Sequence, residues 1–185
     1  MTTRQTEHAV VDIRIAATHE LSEAELRALR ELLDEAFEGG FGDDDWDHTV
    51  GGLHVLAEDG GIVSHAAVVE RRLMAASRPL RTGYVEGVAS ARGHGGRGYA
   101  STVMREIGKL IQAHFELGGL STGLPDFYAR LGWELWPGPT YARSPERPQR
   151  TAEDDGGVMI LRTDATHDLD TTLPLMCEWR SGDVW

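Results

Sequence analysis

The chain of 185 residues has little of several features that define whole classes of protein. Its single cysteine, Cys177, excludes an intramolecular disulfide. No apolar run approaches the ~20 residues that a membrane-spanning helix needs, and residues 1–8 lack the apolar segment of a signal peptide. The 8 histidines match no ligand spacing of a zinc site, so we predict no metal. These absences favour a cytoplasmic protein without a membrane partner.

Basic residues are also scarce, with 18 Lys and Arg against 30 Asp and Glu and a net charge of −12. This balance disfavours nucleic acid as a partner, because binding a polyanion requires a basic surface that releases counterions. A cationic substrate is favoured, since a negative cleft raises its local concentration. The acidity is explained equally well by solubility alone.

The hydrophobic pattern predicts strands and helices in mixed order. Strands are expected at residues 8–18, 53–58, 62–73, 80–88, 158–161 and 173–179. Helices are expected at residues 22–37 and 126–131. A longer helix is expected to begin at the glycine-dense stretch 93–98 and to end near Gly118-Gly119. Residues 41–48 and 143–150 are predicted loops. This order indicates one mixed α/β domain over residues 1–185.

Three local signals support these bounds. Ser22 and Glu25 form the S-x-x-E pattern of a capping box at a helix start. Asp59-Gly60-Gly61 is typical of a hairpin between two strands. Residues 93–98, named here the glycine turn, precede a helix whose free N–H groups and dipole suit an anion such as a pyrophosphate. The glycine turn matches neither a P-loop nor a dinucleotide fingerprint, so a tight turn that needs glycine is an equally good explanation.

Several motifs resemble known enzymes. Three are similar to the GNAT acetyltransferases: residues 84–88 (YVEGV), 95–100 (GGRGYA) and 127–133 (FYARLGW). Three more resemble one branch of that superfamily, the aminoglycoside 2'-N-acetyltransferases: residues 45–52 (DWDHTVGG), 64–73 (SHAAVVERRL) and the tail, 176–185 (MCEWRSGDVW). The resemblance covers nearly the whole chain, and the tail is specific to the branch.

The resemblance implies the GNAT fold, a mixed central sheet with splayed parallel strands flanked by helices. It also implies acetyl-coenzyme A as co-substrate, bound in the cleft between the splayed strands. The residues that it assigns to the coenzyme are Val88, Ala89 and Ser90 at the acetyl and pantetheine end, and Gly95, Gly96, Arg97, Gly98, Tyr99 and Ala100 around the pyrophosphate. The family usually has Arg or Gln in place of Gly95. Backbone donors and Arg92 or Arg97 would then contribute more to coenzyme affinity.

The resemblance also assigns the catalytic residues. Glu86 is the expected general base, acting through water, and Tyr128 is the expected general acid that protonates the leaving thiolate. A base is required because, with an ammonium pKa near ~10.4, only about one amine in two thousand is neutral at pH 7. The α-carboxylate of Trp185 is expected to reach substrate amines. Each residue also has a purely structural explanation: Glu86 as a carboxylate on the strand surface, Tyr128 as a core aromatic, and Trp185 as part of a frayed tail.

The acceptor contacts implied by the resemblance are Gly40, Asp45, Glu86, Gly87, Ser121, Glu153, Asp154, Asp183 and Trp185. Gly40 replaces an aspartate of family members that act on gentamicin- and kanamycin-like drugs. The segment 121–127 is about two residues shorter than in the family and contains Pro125. Because both changes fall in the acceptor pocket, the smaller aminoglycoside kasugamycin is a candidate acceptor.

Two other functions fit the sequence. A GNAT enzyme for another amine, such as a polyamine or a protein N-terminus, also uses acidic acceptor residues, but the tail favours an aminoglycoside. The second alternative is a protein without enzymatic activity, either a coenzyme A sensor or an antibiotic-sequestering protein. The presence of Glu86 and Tyr128 argues against it, because such a protein needs no catalytic residues. Cys177 lies in the tail and away from the cleft motif, which indicates direct transfer without a covalent enzyme intermediate. A homodimer is expected from the resemblance.

Overall fold

The computed structural model describes residues 11–144 and 147–185. The strands are β1 (Asp12–Ala17), β2 (Leu53–Glu58), β3 (Ile62–Ala75), β4 (Arg78–Ser90), β5 (Leu117–Ser121), β6 (Glu134–Leu135), β7 (Thr140–Arg143), β8 (Pro148–Arg150), β9 (Val158–Arg162) and β10 (Leu175–Glu178). The helices are α1 (Glu23–Ala36), α2 (Asp43–Thr49), α3 (Tyr99–His114) and α4 (Pro125–Ala129). Residues 8–10 of the first predicted strand lie outside the described residues. No helix in the described ranges has the length and apolarity needed to cross a membrane.

The strands form one mixed sheet. β1 to β4 pair antiparallel in sequence order, β4 pairs parallel with β5, and β9 and β6 follow β5 at that edge. The far end of β3 pairs with β10, which runs parallel to β7, and β8 forms the other edge. The expected mixed GNAT-type sheet is confirmed, and the short strands β6, β7 and β8 were not predicted.

The parallel strands β4 and β5 separate soon after they meet. Their register has three pairs: Thr82 with Leu117, Gly83 with Gly118, and Tyr84 with Gly119. Beyond these pairs β4 continues to Ser90 and β5 to Ser121 without pairing to one another. The two chain segments therefore diverge and leave a wedge, as the predicted fold requires.

A β-bulge lies in β4 at the start of this wedge. Ala67 of β3 is opposite Glu86, and His65 is opposite Ala89, so Gly87 and Val88 share one position across from Ala66. Gly87 has a φ of 59°, which favours glycine. A Cβ on Gly87 would also lie 3.1 Å from the Thr49 side chain. Bulges re-aim the side chains next to them, here that of Glu86.

Helices cover both faces of the sheet. Val55 and Leu56 are neighbours on β2, and their side chains point to opposite faces. Val55 packs in the cluster that contains the buried stripe of α3, whereas Leu56 packs in the cluster of α1. The capping box of α1 is confirmed, since the Ser22 hydroxyl accepts from the Glu25 N–H and the Glu25 carboxylate accepts from the Ser22 N–H.

Three predicted local features are wrong. Residues 41–48 are no loop, because Asp43–Thr49 forms α2, whose first turn places three aspartates at the positive end of the helix dipole. Gly118-Gly119 does not end a helix: α3 ends at His114, and both glycines lie inside β5. The predicted loop 143–150 contains the β7–β8 pairing of Arg143 with Pro148, with residues 145–146 outside the described residues.

The glycine at position 118 is required by close packing. A Cβ there would lie 2.8 Å from the Leu161 Cβ and 3.1 Å from Ile111 and Trp133 side-chain atoms. Gly118→Ala should therefore lower the free energy of unfolding by about 1–3 kcal/mol, the range for an overpacked core. Gly61→Ala is the control, because no atom lies within 4 Å of its added Cβ. Urea unfolding measures both, and equal losses would contradict this packing.

Candidate active site

A cavity of about 320 Å³ opens beside the wedge between β4 and β5. We name it the splay cavity, and its lining is Phe37, Gly40, Phe41, Asp45, Thr49, Glu86, Ser121, Thr122, Gly123, Arg180, Asp183 and Trp185. The lining includes most of the residues predicted to contact an acceptor. It also includes Phe37, Phe41 and Arg180, to which sequence reasoning gave no role.

Glu86 and Arg180 form an ion pair in the splay cavity. Arg180 Nη1 lies 2.6 Å from Glu86 Oε1, and the two side chains are 16% and 15% exposed. Burial raises the pKa of Glu86, and the charge and hydrogen bond of Arg180 lower it in part. The result is a largely desolvated carboxylate that is a stronger base than one in water.

Arg180, itself a tail residue, also connects Glu86 to the last residues of the tail. Its Nε donates to the main-chain oxygen of Asp183 at 2.7 Å, and its Nη2 donates to that of Trp185 at 3.2 Å. The guanidinium carbon lies 5.6 Å from the centre of the Tyr84 ring, within the range of a cation–π contact. One side chain therefore positions the tail against the predicted base.

The tail is packed against the rest of the chain. Trp185 is 4% exposed, and its indole N–H donates to the Thr151 hydroxyl at 2.9 Å. Arg71 Nη2 donates to the main-chain oxygens of Glu178 at 3.1 Å and of Val184 at 2.7 Å. The alternative of a frayed tail is therefore wrong. The function expected of the Trp185 α-carboxylate stays a prediction.

Three predicted acceptor residues lie beside the splay cavity and do not line it. Gly87 follows Glu86 in β4, and its carbonyl accepts a hydrogen bond from the buried His65. Glu153 and Asp154 lie in a 3₁₀ turn, Ala152–Asp154, directly after Thr151. Burial raises the pKa of Asp154, with smaller contributions from the charges of Glu153 and Asp183. The 3₁₀ turn thus adds negative charge near the tail.

Tyr128 is a core residue as well as a candidate acid. It is 8% exposed and meets Phe127 edge-on at 4.9 Å and Trp133 at 6.4 Å between ring centres. Burial raises the pKa of Tyr128 to about 12, although the nearby Thr122 hydroxyl lowers it in part. Thr122 lines the splay cavity, so Tyr128 lies one residue behind the cavity wall.

The glycine turn ends at the start of α3. Gly96 and Gly98 have φ values of 76° and 81°, and Gly98 is the N-cap of the helix. The first turn of any helix has N–H groups without intrahelical acceptors, and these form an anion site. No atom lies within 4 Å of a Cβ built on Gly95, Gly96 or Gly98, so this side of the turn has room for a ligand. The turn therefore fits a pyrophosphate.

The other residues predicted for the coenzyme lie at the end of β4, in the glycine turn and at the start of α3. Ala89 and Tyr99 are buried, Val88, Ser90 and Ala100 are partly exposed, and Arg97 is exposed. Arg92 pairs with Glu35 at 3.4 Å and Glu38 at 3.5 Å. Within residues 11–144 and 147–185, Arg97 has no ion-pair partner. Arg97 is thus the better placed of the two arginines for an incoming phosphate.

Comparison with known proteins identifies the family. Residues 17–136 match the acetyltransferase (GNAT) domain family. A GNAT family N-acetyltransferase (YhbS) from Escherichia coli, solved in complex with CoA, superposes with a TM-score of 0.64 at 18% identity, covering 92% of this chain and 89% of that one. A GCN5-related N-acetyltransferase from Kribbella flavida gives 0.54 at 21% identity over 70% of this chain, which spans only 34% of that one. The chain belongs to the GNAT acetyltransferases.

A curated relative defines the branch. The chain is 40% identical to the aminoglycoside 2'-N-acetyltransferase of Mycolicibacterium fortuitum over 177 residues, which is 93% of this chain and 91% of the relative. At this identity and coverage, the protein is a member of the aminoglycoside 2'-N-acetyltransferase family. The resemblance stated from the motifs is confirmed.

The Glu86–Arg180 pair predicts a change in titration. Arg180→Met removes a charge and a hydrogen bond that both lower the pKa of Glu86, so the carboxyl should become protonated at a higher pH than in the native enzyme. Arg180→Lys keeps the charge and should shift the titration less. Carbon NMR of the labelled Glu86 carboxyl measures both variants. An unchanged titration in Arg180→Met would mean that the pair does not form in solution.

Proposed function

We propose that the protein transfers an acetyl group from acetyl-coenzyme A to the 2'-amine of an aminoglycoside. The observation that carries the proposal is the buried Glu86–Arg180 pair, which lies in a cavity beside the wedge between β4 and β5 and holds the tail. The relative's activity supports the acceptor, and the fold supports the acetyl donor.

The splay cavity suits one ring of a cationic sugar. Asp45, Glu86 and Asp183 supply carboxylates for its ammonium groups, and the Phe37 and Phe41 rings supply an apolar wall. A volume of about 320 Å³ is at the small end of ligand pockets. The rest of a larger drug would extend past Phe37, which is 44% exposed, toward solvent.

The coenzyme would lie along the unpaired edge of β4 and the glycine turn. It supplies an activated acetyl thioester. The α3 N-terminus and Arg97 would hold its pyrophosphate, and the backbone of Val88, Ala89 and Ser90 would hold the acetyl and pantetheine end. The donor and the acceptor would then meet at Glu86, on the strand between them.

Glu86 would remove the proton from the acceptor ammonium. Its pKa is raised by burial, which makes the carboxylate a better base. An arriving ammonium can replace Arg180 at Glu86, because Arg180 keeps its bonds to the main-chain oxygens of Asp183 and Trp185. The neutral amine then attacks the acetyl carbon, the carbon–sulfur bond breaks, and the nitrogen loses a second proton, which balances the proton that the departing thiolate takes up.

Tyr128 would donate to the departing sulfur. A phenol pKa of about 12 exceeds the thiol value near ~8.5, so complete proton transfer is more strongly uphill than the ordinary phenol value indicates. A hydrogen bond to the thiolate therefore supplies most of the stabilisation. Cys177 is 1% exposed and burial raises the pKa of its thiol, which supports direct transfer without a cysteine intermediate.

The proposal is tested by product analysis. The native enzyme is incubated with acetyl-coenzyme A and, in separate reactions, with kanamycin, gentamicin, kasugamycin and a polyamine while thiol release is followed. Mass spectrometry and NMR should locate one acetyl group on the 2'-amine. A main product acetylated at a hydroxyl or at another amine would contradict the regiochemistry, and thiol release with polyamines alone would contradict the acceptor class. The cytoplasmic location and the homodimer stay predictions.

Glu86→Gln should lower kcat/KM by about 100-fold or more at neutral pH, the range for losing a general base. The loss should shrink at high pH, where the amine loses its proton unaided. Glu134→Gln is the matched control, because Glu134 pairs with Arg162 at the protein surface. A tenfold loss that is independent of pH would show a binding role instead.

Tyr128→Phe should slow turnover and leave the Kd of acetyl-coenzyme A nearly unchanged, because the ring packing is kept and only the hydroxyl is lost. Single-turnover kinetics and calorimetric binding separate the two quantities. Phe127→Leu is the control for packing around the ring. If coenzyme binding collapsed in Tyr128→Phe, Tyr128 would be a packing residue and no acid.

Gly40 should bias the enzyme toward kasugamycin. Without an aspartate at position 40, a kanamycin-type drug loses a charge-assisted contact worth roughly 1.5–3 kcal/mol, or about 10- to 100-fold in kcat/KM. Gly40→Asp should shift preference back toward kanamycin. Gly40→Ala controls for the steric effect, since any Cβ there lies 3.1 Å from the Phe37 oxygen. A native enzyme that prefers kanamycin and ignores kasugamycin would contradict this inference.

A further inference from the structure

A chain of hydrogen bonds through two buried histidines runs from Thr18, the residue after β1, to the bulge in β4. Thr18 Oγ1 lies 2.8 Å from His54 Nε2, His54 Nδ1 lies 2.9 Å from His65 Nε2, and His65 Nδ1 lies 2.6 Å from the Gly87 oxygen. Both histidines are completely buried. Nothing in the mechanism above uses them, although they end one residue from Glu86.

The direction of every bond in this chain follows from its last acceptor. A peptide carbonyl only accepts, so His65 must carry its proton on Nδ1 and accept at Nε2. His54 must then donate from Nδ1 and accept from the Thr18 hydroxyl at Nε2. Burial lowers the pKa of His54 to about 4 and of His65 to about 3, so both rings are neutral at pH 7. The Thr18 oxygen accepts in turn from the Gly51 N–H at 2.8 Å.

The chain does not carry protons to the site, because it ends on a peptide carbonyl that does not titrate. Its effect is on the Gly87–Val88 peptide. In a planar trans peptide the N–H points opposite to the carbonyl, so a carbonyl held against His65 holds the Val88 N–H pointing away from the histidines. Successive bonds in a low-dielectric interior also polarise one another, which strengthens that N–H as a donor.

We propose that His54 and His65 are positioning residues for acetyl transfer, which lock the Gly87–Val88 peptide so that the Val88 N–H donates to the acetyl carbonyl oxygen. The bulge explains why such a lock is needed. Gly87, with its φ of 59°, is the residue of β4 with the most conformational freedom, and it separates Glu86 from Val88. This proposal rests on the proposed acetyl transfer.

The first test does not depend on activity. Nitrogen NMR of histidine-labelled native protein at pH 7 should show His54 and His65 both neutral with the proton on Nδ1. The assignment uses His54→Gln and His65→Asn, each of which removes one set of signals. A proton on Nε2 of either ring, or a charged ring, would overturn the proposal.

The second test separates positioning from folding. His65→Leu removes the donor to Gly87 and should lower kcat about tenfold or more, with the Kd of acetyl-coenzyme A changed less than about threefold. His65→Asn places an amide donor near the Nδ1 position and should recover part of kcat. Equal kcat values for the Leu and Asn variants, or a native kcat in His65→Leu, would overturn the proposal.

A second pair of variants tests the proposal with smaller substitutions, in case the His65 variants do not fold. Thr18→Val removes the hydroxyl donor that lies three hydrogen bonds from Gly87, and should lower kcat about two- to fivefold, a small part of the loss on removing a transition-state donor. Thr166→Val removes the bond from the hydroxyl of the buried Thr166 to the Glu116 oxygen, and should leave kcat unchanged because neither residue lines the splay cavity. Equal effects of the two variants would overturn the proposal. A native enzyme that acetylates no aminoglycoside would instead refute the proposed function, and the tautomer test would still stand.

Discussion

The brief pairing of β4 with β5 is the constraint on which the rest of the site depends. Three register pairs hold the strands together. They can form because Gly118 leaves room for a side chain of α3 and Gly119 leaves room for the Tyr84 ring. Beyond the last pair the backbone of β4 is free on one edge. The bulge, the splay cavity and the start of α3 all lie at this divergence, so a donor and an acceptor approach the same strand from two sides.

The second constraint is the cost of burying charge. Glu86 lies in a site where desolvation raises its pKa, and Arg180 offsets part of that cost while no substrate is bound. Arg180 is in turn held by main-chain oxygens of the tail, and Arg71 and Thr151 hold the tail to the sheet. The base, its counter-ion and one wall of the cavity therefore form a single packed unit.

The sequence predicted those features that have a local signal. The apolar stripes of α1 and α3, the capping box at Ser22 and the hairpin at residues 59–61 were found because neighbours in sequence determine them. Arg180 and His65 were missed as site residues, because their partners lie 94 and 22 residues away and leave no local pattern. The predicted site residues came from motif resemblance. Gly118-Gly119 was wrongly predicted to end a helix, because glycine is common at helix ends and also permits the close strand packing found here.

The central claim is that the acceptor amine and the acetyl donor meet at Glu86 in the splay cavity. A crystal structure of the native protein with coenzyme A and an aminoglycoside that it acetylates is the most direct measurement. We predict that the 2'-amine lies within hydrogen-bond reach of Glu86, directly or through one water. Arg180 should be displaced from the carboxylate and still donate to the main-chain oxygens of Asp183 and Trp185. An acceptor seated outside this cavity, with the Glu86–Arg180 pair intact, would contradict the account.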